Sequence, residues 1–157
     1  MSSDDRHLLV VYHSRSGGTQ AMTDAFVAGA TDDAIEDVEV RVLHAPDAGP
    51  DDVRWADAVA LGTPENFGYM SGLVKDFLER IYYEVLDETP GLPYLLYVKA
   101  STDGQGAVTS VERILTGLRW KPVQPAFVVV GEVREEHLAQ CTELGMTLAA
   151  GLSAGIY

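Results

Sequence analysis

Short apolar runs alternate along the chain with segments whose apolar residues recur at helical spacing. Leu8–Tyr12 is apolar at every position and too short for a helix, so it reads as a buried strand. From Thr19 to Ala30, the residues Met22, Phe26, Val27 and Ala30 share one helical face, which predicts the first helix. Val38–Leu43 alternates apolar with polar residues and predicts a more exposed second strand, and Asp57–Gly62 predicts a third, with an acidic loop between them. After Ser71, a natural N-cap, Leu73, Val74, Phe77, Leu78, Ile81 and Tyr82 keep helical period. Pro93–Lys99 and Ala126–Val130 predict two further strands, each opened by a proline, which lacks the N–H that a central ladder needs. Val108, Val111, Leu115 and Leu118 mark a helix between them, and Leu138, Cys141, Gly145, Leu148 and Leu152 mark a last one.

The order is βα repeated five times. Strands apolar on both faces, separated by helices, predict a parallel sheet covered on both sides and joined by right-handed crossovers, a doubly wound α/β domain. No repeat, linker or low-complexity tract divides the chain, so residues 1–157 are expected to form a single domain with a flexible N-terminus over residues 1–6. In such sheets ligands bind beyond the carboxyl ends of the strands, which directs attention to the loops 13–19, 63–72 and 99–107.

Composition narrows the partners. Against 24 Asp and Glu stand 11 Lys and Arg, a net charge of −13, too few cations to clamp a nucleic-acid backbone. No apolar stretch is long enough for a membrane span, and the start of the chain lacks the features of a signal peptide, so membrane insertion is not expected and a cytoplasmic location is. One cysteine permits neither an internal disulfide nor a Cys-rich metal knuckle, and no metal site is expected. The acids between Asp32 and Asp57 read as solvated surface, with the steering of a basic redox protein as the functional alternative.

The loop behind the first strand, His13 to Thr19, packs Ser14, Ser16 and Thr19 together with Gly17 and Gly18. Glycines let backbone N–H groups approach an anion, the helix start adds the positive end of its dipole, and the hydroxyls add donors, so this loop predicts a phosphate cradle. The nucleoside triphosphatase loop and the dinucleotide fingerprint are both absent there. Cys141 lies too late in the chain to be a first-loop phosphatase nucleophile, and Tyr12, His13 and Ser14 supply none of the carboxylates of a phospho-acceptor site.

These residues resemble a known family. Ser14-x-Ser16-Gly17-x-Thr19 is similar to the FMN-phosphate loop of flavodoxin-like proteins, and Gly62–Gly72 is similar to the Gly-Thr-Pro-x-x-Phe-Gly-x-Met segment of NAD(P)H:quinone reductases of the tryptophan-repressor-binding-protein type. Ala100–Gly106 resembles the Gly-Gln-Gly loop of the same group. The resemblance implies a three-layer flavodoxin-like fold, with a five-stranded parallel sheet in the order 2-1-3-4-5, and FMN as cofactor. It implies that Ser14, Ser16, Gly17, Gly18 and Thr19 hold the phosphate, with Arg15 adding charge. Pro64, Glu65, Asn66, Phe67, Gly68, Tyr69 and Met70 would line one side of the flavin ring. Ser101, Thr102, Asp103, Gly104, Gln105 and Gly106 would meet its pyrimidine edge. No acid or base residue is assigned, since the flavin carries the chemistry.

The function implied is a reductase that takes hydride from NAD(P)H and passes electrons to a quinone or another small acceptor, with a homodimer expected. The alternatives are a flavodoxin-type electron carrier and a module that binds FMN without turnover. Trp55 and Trp120 lie outside the three loops, which favours an open site over one covered by tryptophan. Asp103 before Gly104 reads first as a turn former, and Cys141, on an apolar helical stripe, as a buried structural thiol.

Overall fold

The computed structural model describes residues 4–157. Thirteen elements follow one another, beginning with β1 (Arg6–Tyr12), α1 (Gly18–Ala30), β2 (Val38–His44) and a 3₁₀ turn at Ala45–Asp47. Next come α2 (Pro50–Trp55), β3 (Ala58–Asn66), β4 (Tyr69–Met70), α3 (Gly72–Val85) and β5 (Pro93–Ala100). The chain closes with α4 (Gln105–Gly117), β6 (Lys121–Pro122), β7 (Phe127–Val130) and α5 (Glu135–Ser153).

β2, β1, β3 and β5 are parallel neighbours in that order, and the fifth position is shared by β6, opposite Pro93 and Tyr94, and β7, opposite Tyr97–Ala100. This is the expected order, with the last strand cut in two. Pro125, which has no N–H to donate, falls in the interruption between the two pieces. The sheet separates two apolar cores. Leu9, Val11, Leu61 and Leu96 pack with α3 and α4 through Phe77, Ile81, Val111 and Leu115, whereas Leu8, Val10, Leu95 and Tyr97 pack with α1 and α5 through Met22, Phe26 and Leu148. The alternation of faces along each strand thus sends successive residues to opposite layers. Two glycines let α1 and α5 approach closely, because a Cβ at Gly29 would stand 1.9 Å from the Thr142 carbonyl and one at Gly145 1.9 Å from that of Phe26.

Four expectations need correction. Of the N-terminal residues expected to be flexible, Met1, Ser2 and Ser3 lie outside the described residues, but Arg6 is the first residue of β1, paired with Val38. The acidic loop between the second and third strands holds α2. Pro50 opens that helix, Asp51 and Asp52 sit at its positive end, and the Asp52 carboxylate accepts from the Gly49 N–H. The third strand runs four residues past Gly62, so Thr63, Pro64, Glu65 and Asn66 are strand rather than loop. At Thr63 and Pro64 only β5 pairs alongside it, because the β1 ladder ends at Tyr12, and a proline is tolerated where one ladder has stopped. Finally, Tyr69 and Met70 turn back on Glu65 and Asn66 as a short antiparallel hairpin. No described helix is long and apolar enough to cross a membrane.

Candidate functional site

Because β1, β3 and β5 are adjacent and parallel, the loops at their carboxyl ends lie side by side. The first, residues 13–19, enters α1 through Gly17, whose φ of 97° is left-handed and which has no side chain of its own to cap the helix. Ser14 Oγ accepts from the Gln20 N–H at 3.0 Å. The N–H groups of Gly18 and Thr19 have no acceptor among the described residues. Arg15, Ser16 and Gly17 are exposed, and Thr19 is buried beneath them. Beside the loop, His13 and His44 approach to 5.4 Å between ring centroids, and the buried Nδ1 of His13 has no hydrogen-bond partner. Burial, with His44 and Arg15 adding repulsion, holds the His13 imidazole below its ordinary pKa.

The second loop is the turn of the hairpin. Phe67 and Gly68 both have positive φ, 55° and 68°, as a two-residue hairpin turn of the primed type demands. For Gly68 that conformation is free; for Phe67 it costs about 1–2 kcal/mol. Phe67 is also fully exposed, so the chain holds a large apolar side chain in a strained turn and gives it no contact. The hairpin is clamped to α4, since the Ser110 hydroxyl accepts from the Met70 N–H at 3.2 Å and a Cβ at Gly106 would stand 1.7 Å from the Gly68 carbonyl oxygen. Below it, Thr63 Oγ1 accepts from the Ser71 N–H, and Ser71, as N-cap of α3, accepts from that of Val74.

The third loop closes on a carboxylate. Glu65, 5% exposed, accepts from the backbone N–H of Ser101, Thr102 and Gly104 and from the Thr102 hydroxyl, at 2.7–3.1 Å, with the Ser101 hydroxyl at 3.4 Å. Burial alone would raise its pKa; the bonds from Thr102, Ser101 and Gly104 outweigh burial and leave it below the ordinary carboxylate value. Asp103 accepts from the Gln105 N–H at 3.0 Å, the turn-forming role its place before Gly104 suggests.

The three loops therefore meet at one end of the sheet, but their residues differ in reach. Asn66 is partly exposed and Phe67, Gly68 and Tyr69 are exposed, as are Ser101, Thr102, Asp103 and Gln105. Pro64, Glu65, Met70 and Gly104 are buried behind them, and Gly106 is the seat of the hairpin. Sequence reasoning named Glu65 only as part of the ring wall and did not name Lys99 as part of the site. The role of Glu65 as the grip of the third loop had no local signal, because its partners lie 36–39 positions away. Lys99, the one charge in the run Pro93–Ala100, had a signal that passed unread: it stands at the carboxyl end of a central strand. Cys141 is buried, and burial pushes its thiol up to about 11. His137 is an N-terminal capping residue of α5, its Nδ1 accepting from the Arg134 N–H. Trp55 stacks on His7, a residue of β1 at the opposite end of the sheet, and Trp120 is buried.

Comparison with known proteins bears on the family and the fold. The family model for NADPH-dependent FMN reductases matches residues 48–135. A flavodoxin of Aquifex aeolicus is 30% identical over 158 aligned positions, covering 90% of this chain and 84% of the relative. An NAD(P)H dehydrogenase (quinone) of Acidithiobacillus ferrooxidans is 34% identical over 91 positions, 46% of each chain. Among solved structures, an archaeal flavodoxin superposes with a TM-score of 0.81 at 22% identity, over 93% of this chain and 98% of that one.

Proposed function

The chain belongs to the flavodoxin-like FMN reductase family, with FMN as its cofactor, and on that premise we propose that it is an NAD(P)H-dependent reductase that passes electrons to a quinone or another small acceptor. The residues present fit a phosphorylated flavin. The unclaimed N–H groups of Gly18 and Thr19 and the open space where a Cβ would stand at Gly17 make a donor-rich cradle with no anion of the described residues bound in it. When bound, FMN supplies a ring that accepts a hydride and releases electrons singly or in pairs.

The chain's own contribution is to bind and orient. Ser14, Ser16, Thr19 and the backbone of Gly17 and Gly18 hold the phosphate, with Arg15 adding charge. Asn66, Phe67, Gly68 and Tyr69 form a wall for the ring, supported from behind by Pro64 and Met70. Ser101, Thr102, Asp103 and Gln105 offer donors and acceptors to the ring's polar edge, and Glu65, Gly104 and Gly106 fix the position of that loop. A homodimer in which a second copy closes the site is part of this reading.

The observation that carries the reductase reading is the open wall. Phe67 is fully exposed, a Cβ at Gly68 would meet nothing within 4 Å, and neither tryptophan is near the three loops. A cavity of about 520 Å³ beside the hairpin, lined by Tyr69, Lys75, Thr109 and Arg113 among others, gives a nucleotide room to lie. An anaerobic visible spectrum of the FMN-loaded protein tests this: addition of NADPH or NADH should bleach the flavin band rapidly. Flavin that dithionite bleaches and neither nucleotide touches would establish the second reading, an electron carrier, which the extended likeness to a flavodoxin favours.

A further inference from the structure

Lys99 interrupts an apolar strand in a place where a cation has no evident business. It pairs in register with Pro64 of β3 and Val129 of β7, and by alternation it shares a face with Leu95 and Tyr97, the face covered by α1 and α5. Its stem lies across the start of α1: a Cβ at Gly18 would stand 2.9 Å from Lys99 Cγ and 3.2 Å from its Cε. Among the described residues, no carboxylate lies within 4.0 Å of the ammonium group, and no acceptor is within hydrogen-bond distance. This is a chain with 24 acids for 11 Lys and Arg. The ammonium is nevertheless left unpaired against the positive end of a helix, with Arg15 near enough to His13 to repel a proton there. Like poles brought together cost free energy unless an anion is meant to lie between them.

From this we infer that Lys99 is a second cation of the phosphate cradle, reaching it from β5 beneath Gly18 while Arg15 approaches from the exposed loop, and that it sharpens the site's discrimination of a phosphorylated flavin from an unphosphorylated one. The inference rests on the proposed reading of residues 13–19 as the FMN-phosphate loop. The loop's hydroxyls and N–H groups are neutral donors that any oxygen satisfies and Arg15 is exposed to solvent, whereas the Lys99 charge beneath the loop rewards the dianionic phosphate of FMN and offers nothing to riboflavin.

The test titrates apoprotein with FMN and with riboflavin, following quenching of flavin fluorescence, for the wild type, Lys99→Met and Lys99→Arg. Met keeps the stem over Gly18 and removes the charge. Lys99→Met should weaken FMN by about 10- to 100-fold, the worth of a charge-assisted contact, leave riboflavin within about 2-fold and flatten the salt dependence of FMN binding. Lys99→Arg should retain most of the FMN affinity. Thermal unfolding of apo Lys99→Met should occur at or above the wild-type temperature, since an unpaired charge at a helix's positive end has been removed. Equal weakening of both flavins, or FMN binding unchanged in Lys99→Met, overturns the inference while leaving the cradle standing. Wild-type protein that binds riboflavin as tightly as FMN overturns the cradle itself.

Discussion

Two helix starts at the same end of the sheet share one local geometry and differ in what fills it. α1 and α4 are each 13 residues long, and each begins behind a left-handed glycine, Gly17 or Gly104, that has no side chain to cap it. Ahead of α4, the N–H groups of Ser101, Thr102 and Gly104 close on the carboxylate of Glu65. At α1, the N–H groups of Gly18 and Thr19 have no partner among the described residues. Backbone donors gathered at a helix start form an anion site in either case. Where the chain supplies its own anion the site is structural, and where it supplies none the site is left for a ligand.

The sharpest way to break this contrast is to empty the filled site. Glu65→Ala should lower the unfolding free energy in urea by about 3–4 kcal/mol, because several buried donors lose one ionised partner. Glu65→Gln, which keeps an acceptor, should cost less. The same carboxylate sets an acid limit. Its native pKa lies below the ordinary 4.5, so the unfolded chain protonates first; the stability it contributes is present above about pH 4.5 and is lost as pH falls through the lower native value. Unfolding of Glu65→Gln followed across that range should show a shallower acid slope than wild type.

Removing donors from the open site should leave folding nearly intact and act on the ligand. Ser16→Ala with Thr19→Ala should weaken FMN binding by roughly 2–3 kcal/mol, read by equilibrium titration, with urea unfolding of the apoprotein changed less than in Glu65→Ala. Unchanged affinity would sink the phosphate assignment. Phe67→Asn places a residue suited to positive φ ahead of Gly68 and should raise apoprotein stability by about 0.5–1 kcal/mol, while slowing flavin reduction by NAD(P)H if the exposed ring serves the site. The smallest effect is a slope. His13 is held below the usual 6.5, so as pH falls below that value the unfolded chain takes up a proton the native chain resists, and apoprotein stability declines. His13→Gln should remove that part of the decline in a thermal unfolding series between pH 7 and pH 5.

Legibility followed the length of the pattern. α3 and α5 run 14 and 19 residues, long enough for their apolar stripes to repeat, and strands such as Leu8–Tyr12 are apolar throughout because both faces are covered. α2 has six residues and a single buried side chain, Val53, so no period exists to be read. Thr63, Pro64, Glu65 and Asn66 look like a loop by composition, and only the neighbouring ladders reveal them as strand. The first loop was legible because its seven residues carry their own chemistry. Glu65 was not, because what it binds lies on another strand's loop, and Lys99 was overlooked because its target is brought to it by the sheet.

The amino-acid sequence by itself determined the alternation of strands and helices, the parallel α/β class, the donor-rich loop after the first strand and the absence of tryptophan from the three loops, since each of these is a property of contiguous residues. Tertiary structure alone decided which of two matching helix starts carries an anion of its own, because a buried carboxylate and the N–H groups it satisfies meet only when β3 and β5 pair.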